Sequence, residues 1–245
     1  MSYIESYRQC VLDLLDRINT SQTQAIAEAA DLAAGSLLED GVLHVFSTGH
    51  SHMIVEEMFY RTGGLVPVNP VFDSGTMLHE GALRSTRLER LPGYAGVIFR
   101  DLDVREGEPM LIASNSGINP VPVEMAQLAK EAGMNVICIT SKDISKHLKP
   151  RHATGMKLMN IADVVIDNCI VENDAAVELS GTGQRVGALS SIAGMYIANC
   201  LVVEIAARFT EAGVVPPVLM SSNMPEGDGF NSALLKKYGR RIKGF

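Results

Sequence analysis

Tryptophan is missing from this 245-residue chain, and aromatic residues make up only 5% of it. Surfaces that hold single-stranded nucleic acid stack bases on aromatic rings, so that class is disfavoured. Basic residues are in deficit too: 21 Lys and Arg face 28 Asp and Glu, a net charge of −7. Nucleic acid and anionic membrane both need a basic field, so neither is expected as a partner. Cysteine is scarce. Cys10, Cys138, Cys169 and Cys200 are widely spaced and form no CxxC, which argues against a disulfide framework or a zinc ribbon and fits a reducing cytoplasm. The most apolar segment, Ile192 to Val203, runs into Glu204 and is too short to span a bilayer. Met1 to Arg17 carries Glu5, Arg8, Asp13, Asp16 and Arg17 on a helical pattern and does not read as a signal peptide. The GxxxxGK[ST], GxGxxG and GxSxG signatures are all absent, which leaves a P-loop nucleotidase, a dinucleotide fold and a nucleophile elbow unsupported.

What the chain has is aliphatic apolar sequence in alternating short runs and helical stripes. Ser2 and Glu5 form a capping-box pattern, followed by Ile4, Tyr7, Val11, Leu14, Leu15 and Ile18 at helical spacing. Ser21 with Gln24 predicts a second cap and a helix through Ile26, Ala29, Ala30, Ala33 and Leu37, closing near Gly41. These two segments predict an N-terminal helical hairpin, suited to dimerisation or to acting as a lid. Strands are predicted at Val42–Phe46, Leu65–Val68 (edge-like because of Pro67), Met110–Ala113, Asn135–Thr140 and Ala162–Asp167. Helices are predicted over Met53–Arg61 with a stop at Gly63-Gly64, over Val121–Ala132, from about Val186 to Ala212, and around Asn231–Lys243. Leu83–Phe99 reads as mixed helix and turn, and Ser141–Gly155 as a basic loop. Buried strands alternating with helices predict a parallel sheet covered on both faces. No linker or repeat divides the chain, so one domain is expected: helices over 1–40, an αβα core over 41–215, and a C-terminal loop and helix over 216–245.

Two strand-to-helix turns carry the functional signal. Ser114-Asn115-Ser116-Gly117-Ile118-Asn119-Pro120 follows one apolar strand, and Ser47-Thr48-Gly49-His50-Ser51-His52 follows another. Unpaired N–H groups and a positive dipole at a helix start welcome an anion, and neutral hydroxyl and amide donors add to them. In open α/β sheets ligands bind beyond the C-terminal strand ends, so two such turns on neighbouring strands can grip one phosphate from two sides. The competing structural reading is that each turn merely caps its helix, Asn119 at the N-cap with Pro120 at the first helical position.

Three groups of acids and bases accompany the turns. Glu57 and Arg61 share a helix face, as either a base with its ion partner or a plain i,i+4 salt bridge. His79-Glu80, in the irregular stretch Asn69–Gly81, suits a lid carrying acid and base, or an ordinary surface loop. Glu172 and Asp174 after the last strand suit helix capping equally well. His44 within a strand reads as a core histidine. His50 and His52 are two apart and with His79 would make a three-His site, but with no HxxxH or HExxH no metal site and no cofactor are expected; His50 reads as a partner for substrate hydroxyls. The run of Lys142, Lys146, His147, Lys149, Arg151 and His152 is a solvated loop or an attractor of sugar phosphates.

The two turns resemble the two halves of the phosphosugar site in SIS (sugar isomerase) domains. SNSGINP is similar to that family's S-x-S-G-x-[ST] loop, and STGHS to its earlier Gly/Ser loop. The chain looks like a bacterial branch related to the phosphoheptose isomerases, marked by GHSHMIVEEMFYRTGGLVPVNP, MLHEGA, SNSGINPVPVEMA, ADVVIDN and PPVLMSSN, over Leu43 to Asn223. The resemblance implies a flavodoxin-like three-layer αβα sandwich, a homodimer or higher homo-oligomer, and a sugar phosphate held by Ser51, Ser114, Ser116 and Asn119. Asn115 and Gly117 of the same loop are expected to bind the phosphate as well, and Gly49, His50, Ser190 and Ser191 complete the substrate-binding set. Asn119 stands where Ser or Thr is usual, and Glu57 and Arg61 where phosphoheptose isomerases tend to carry His and Glu. The activity implied is aldose–ketose isomerisation of a sugar phosphate, with a carboxylate (Glu57, or Glu80 beside His79) moving a proton through an enediol. The alternatives are a non-catalytic sugar-phosphate-binding regulatory module, and a lyase or deaminase acting on an amino-sugar phosphate.

Overall fold

A computed structural model of the chain describes residues 2–221 and 227–245. The Ser222-Asn223 end of the PPVLMSSN string therefore lies outside the described residues. The N-terminal hairpin is present as α1 (Tyr3–Ser21) and α2 (Thr23–Leu38). The Ser2–Glu5 capping box closes α1 in both directions. The expected Ser21 cap on α2 does not form. The N-cap residue is Gln22, and the Ser21 hydroxyl instead donates back to the Arg17 carbonyl at 2.7 Å, still belonging to α1.

The sheet is built from β1 (Leu43–Ser47), β2 (Val68–Pro70), β3 (Pro109–Ala113), β4 (Asn135–Thr140) and β5 (Val164–Asp167). Their order is β2-β1-β3-β4-β5 and every pairing is parallel. That is the flavodoxin-like order, which reverses direction between β1 and β3. Side chains alternate across a pleat, and the two faces feed two cores. Leu43, Val45, Leu111, Ala113, Ile137, Ile139 and Ile166 join α1, α2, α3 (His52–Met58) and α8 (Ser190–Glu211). Phe46, Met110, Ile112, Val136 and Cys138 point the other way, towards α5 (Tyr94–Phe99) and α6 (Pro120–Glu131). The result is the three-layer αβα sandwich. α8 packs closely on α3 because residue 194 is glycine: a Cβ there would meet Ile54 Cδ1 at 2.3 Å.

Several boundaries differ from the sequence reading, each for a local reason. α3 ends at Met58, not Arg61, because Phe59 turns extended and Tyr60 takes a positive φ of 46°. The edge strand is Val68–Pro70, while Leu65 makes only an isolated bridge to Val218. The mixed stretch resolves into α4 (Ala82–Glu89) and α5, parted by Gly93. The basic loop opens with a short helix, α7 (Lys142–His147), capped by the Ser141 hydroxyl accepting from Ile144 N–H at 2.9 Å. Val186 is in a strand, not a helix: β6 (Ala175–Glu178) and β7 (Arg185–Ala188) form an antiparallel hairpin, with Gly187 at φ 78°. α8 starts at Ser190, where Asp174 caps it by accepting from the Leu189 and Ser190 N–H groups at 3.0 and 2.7 Å. The last helix, α9, spans Gly227–Tyr238. At 22 residues α8 is long enough to cross a membrane, contrary to the sequence reading, yet Ala193, Ile197, Leu201, Ile205 and Phe209 are buried in the core.

At the N-terminal end of the strands His44 is indeed a core histidine. Asn69 Nδ2 donates to its Nδ1 at 3.0 Å, so the proton sits on Nε2, 3.2 Å from Glu108 Oε2. Glu108 also receives the Arg241 guanidinium and the Val42 N–H, tying the C-terminal segment to the sheet.

Candidate functional site

Ser47 and Ala113 are register partners at the ends of adjacent strands, and the Ser47 hydroxyl donates to the Ala113 carbonyl at 2.6 Å. The two polar turns therefore leave the sheet side by side. α3 then falls to one face and α6 to the other, the divergence that in open α/β sheets makes a ligand crevice at the topological switch point.

The second turn is held from below. Gly117 sits at φ 62°, and its N–H donates to Ser114 Oγ at 3.2 Å while its carbonyl accepts from Leu158 N–H at 2.8 Å. The Asn115 carbonyl accepts from Ser141 N–H at 3.0 Å, and its Oδ1 from Asn168 Nδ2 at 2.8 Å. Ser114 and Asn115 thus build the loop. Among the described residues, the N–H groups of Ser116, Ile118, Asn119 and Val121 and the Ser116 hydroxyl have no acceptor within the chain. The opening turn of α6 supplies little itself, since Pro120 and Pro122 carry no N–H. Of these donors Val121 belongs to the helix start and Asn119 to its cap, while Ser116 and Ile118 belong to the loop before it.

Asn119 is the N-cap residue, but its side chain makes no capping bond. Its Oδ1 accepts from Arg151 Nη1 at 2.8 Å, and Arg151 N–H donates to the Ile118 carbonyl at 3.0 Å. A guanidinium has only donors, so the oxygen must face it and the amide nitrogen is left to donate elsewhere. Asn119 is 6% exposed.

The first turn, Gly49–Ser51, is a single 3-10 turn that leads directly into α3. Gly49 N–H donates to the Thr76 carbonyl at 2.9 Å. Among the described residues, the His50 N–H group and the Ser51 hydroxyl have no partner in the chain. The 69–81 stretch crosses this turn and is pinned to it. The Thr76 carbonyl also accepts from Ser85 Oγ at 2.7 Å, and Asp73 accepts from Thr76 N–H at 2.8 Å and from the Tyr94 hydroxyl at 3.1 Å. Burial and the neighbouring Asp73 carboxylate push the Tyr94 hydroxyl pKa upward.

The candidate acids and bases are dispersed around this crevice. Glu57 pairs with Arg61 and accepts from Asn199 Nδ2 on α8 at 2.8 Å, more than a turn along α3 from the crevice. Glu80 pairs with Arg84, and both His79 and Glu80 are exposed at the end of the pinned loop. His50 is exposed, and the Ser190 hydroxyl donates to Asp174 Oδ2 at 2.7 Å. Asp174 is thus a helix cap, while Glu172 takes a positive φ of 56° beside it. Sequence reasoning weighed His52 only as a metal ligand. It is 3% exposed, its ring lies 5.4 Å from that of Phe72, and neither ring nitrogen has a hydrogen bond. Leaving such a group unsatisfied costs roughly 1–3 kcal/mol. Burial lowers its pKa, and nearby His79 adds to this, against the opposing pull of Glu56 and Asp73. Its position directly after Ser51 marks it as adjacent to the first turn, but no local signal shows that its ring is buried. Asp73 and Arg151 likewise carried no local signal that set them apart from other loop charges.

The parallel 2-1-3-4-5 sheet and the paired donor turns at its switch point define an SIS-type α/β protein. A family profile for the SIS domain matches residues 6–141. The UPF0309 protein of Listeria innocua is 38% identical over 239 residues, covering 98% of this chain and 97% of that protein. The UPF0309 protein of Thermoanaerobacter pseudethanolicus is 41% identical over 247 residues, covering 99% and 98%. The chain belongs to the SIS domain family, within its UPF0309 branch. Among solved structures it is similar in fold to a phosphoheptose isomerase from Francisella tularensis, with a TM-score of 0.55, 18% identity, and 82% and 95% of the two chains covered. The phosphoheptose isomerase from Neisseria gonorrhoeae gives a TM-score of 0.56 at 17% identity, covering 83% and 97%.

Proposed function

We propose that the crevice binds a sugar phosphate and that the protein is an aldose–ketose isomerase working through an enediol. The carrying observation is the convergence of unpartnered neutral donors, from Ser51 on one side and Ser116, Ile118 and Asn119 on the other, at the switch point. A phosphate dianion matches that set: it only accepts, and each charge-assisted hydrogen bond contributes about 1.5–3 kcal/mol. Arg151 adds a guanidinium behind Asn119. The phosphoheptose isomerase fold likeness agrees with this reading. Binding of the inert phosphate then positions the reacting carbons.

Of the two expected carboxylates, Glu80 is the stronger choice of base. It ends the loop that crosses the first turn and follows His79, which lies near enough to His52 to interact with it. Glu57 is directed to α8 through Asn199. We also propose a homodimer: Ile4 on α1 and Val203 on α8 are 83% and 65% exposed.

A binding-only role is the second reading, favoured by the engagement of both carboxylates in ion pairs. Incubation with five- to seven-carbon aldose and ketose phosphates in deuterated water separates the two. An isomerase introduces label at C1 or C2 and interconverts the pair, Glu80→Gln abolishes labelling while still binding, and Glu57→Gln leaves it. Tight binding with no label across the panel would establish the regulatory reading instead.

A further inference from the structure

Isomerisation through an enediol moves two protons: one between carbons, and one between the oxygens O1 and O2. Glu80 accounts for the first, and none of the residues so far assigned accounts for the second. We propose that His52, oriented by Glu56, carries the oxygen-bound proton, an inference that rests on the isomerase reading above.

The argument begins with the partners of each group at the crevice. Glu57 and Glu80 are held by Arg61 and Arg84, Asp73 by Tyr94 and Thr76, and Glu89 by the Thr48 hydroxyl at 2.9 Å. His52 is the buried titratable side chain there whose Nε2 has no partner and whose Nδ1 has only the Glu56 carboxylate, at the limit of a hydrogen bond. It directly follows Ser51, so it sits beside the donors of the first turn. Its Nδ1 lies 3.5 Å from Glu56 Oε1, one helical turn on. A carboxylate on that side favours the tautomer with hydrogen on Nδ1, leaving the Nε2 lone pair to face other groups. The charged groups around the ring are Glu56 from α3 and Asp73 and His79 from the loop after β2. Phe72 lies across the ring and is itself 43% exposed. Phe72 must be displaced for the imidazole to reach substrate, whose hydroxyls then supply the hydrogen bond that Nε2 lacks.

The step balances without a co-reactant. Glu80 removes the proton from C2, the C–H pair becomes the C1=C2 bond, and the carbonyl pair moves onto O1. Nε2 takes the proton from the O2 hydroxyl and delivers it to O1, so the imidazole is neutral before and after. The O2 pair then closes the C2 carbonyl while the C1=C2 pair recovers the proton from Glu80 at C1. A neutral imidazole is required for this, which agrees with a ring packed against Phe72 and away from water.

The test uses the full-length protein and the member of the aldose and ketose phosphate panel that the wild type converts. His52→Gln, with His52→Asn as a second variant, should lose at least 100-fold in aldose-to-ketose conversion. Deuterium exchange at C2 and the dissociation constant should each stay within about threefold of wild type. Added imidazole should restore part of the conversion, and the acid limb of the kcat profile should disappear. Conversion within threefold of wild type in a folded variant overturns the assignment to His52 alone, as does a parallel loss of exchange and affinity. No exchange or conversion by the wild type with any panel member overturns the isomerase reading and this inference with it.

Discussion

Arg151 Nη1 donates to Asn119 Oδ1 at 2.8 Å, and through this contact a residue of the basic loop sets the orientation of an amide in the candidate cradle. The usual Ser or Thr of the SIS loop would present a hydroxyl that rotates freely between donor and acceptor roles. An asparagine fixed by arginine presents a donor only. The substitution at residue 119 and the basic loop are thus one feature rather than two.

Removing the guanidinium releases the amide and takes a positive charge from beside the phosphate. Arg151→Ala is expected to weaken sugar-phosphate binding about tenfold, equivalent to about 1.4 kcal/mol. Asn119→Asp should weaken it further, because its carboxylate repels the phosphate and turns the donor into an acceptor. Isothermal titration with one sugar phosphate at fixed ionic strength measures both. An Arg151→Ala protein that binds like the wild type would show that the contact only braces the loop.

Gly117 is the conformational key of the same loop. It takes a φ of 62°, and an added Cβ would stand 3.0 Å from Thr140 Oγ1. Left-handed backbone costs an L-residue roughly 1–2 kcal/mol. In a protein of this size that corresponds to a Tm lower by about 2–8 °C for Gly117→Ala. Gly117→Asn, whose side chain tolerates the left-handed region, should fall between the two despite the crowding. Thermal unfolding followed by circular dichroism gives the order, and an unchanged Tm for Gly117→Ala would mean that the loop relaxes.

The sheet was legible from sequence because its strands are short apolar runs bounded by glycine and polar turns, buried on both faces. Val186 shows where such patterns fail. Arg185-Val186-Gly187-Ala188 joins smoothly onto the apolar stripe of α8, and Asp174, 16 residues before Ser190 in the chain, sets the helix start there by capping it. Likewise the turns at Gly49 and Gly117 were legible as polar strand-to-helix junctions. Their division of labour was not, since which donors are already used depends on Leu158, Ser141 and Arg151, all distant in sequence. His52 was hidden for the opposite reason: nothing local indicates that a histidine at the start of a helix will have both nitrogens buried without a partner.

The proposed homodimer predicts a species of about twice the chain mass in light scattering after size exclusion. A charge placed at an exposed apolar position of α8, as in Val203→Glu, should shift that species towards the monomer without altering the helix content. Val203 is 65% exposed in the single chain, so the substitution leaves the core untouched. A wild type that runs as a monomer throughout the micromolar range would remove the dimer from the proposal.

At the far end of the sheet, Glu108 provides a pH-dependent element of stability. Burial would raise its pKa, but hydrogen bonds from His44, Arg241 and the Val42 N–H outweigh this and hold it at about 2 against an ordinary value of 4.5. A carboxyl depressed in the fold binds protons more readily once unfolded, so its contribution is complete above pH 4.5 and is lost as the pH falls towards 2. That contribution is on the order of 2–3 kcal/mol, appropriate to a side chain only 3% exposed. Urea unfolding of the wild type should therefore show a midpoint that declines over this window. Glu108→Gln removes the charge opposite Arg241, which is 11% exposed, and breaking such a pair costs about 3–5 kcal/mol. The variant should be less stable at neutral pH and should lack this part of the acid decline. Equal slopes in the two proteins between pH 4.5 and 2 would assign the acid sensitivity to other carboxylates.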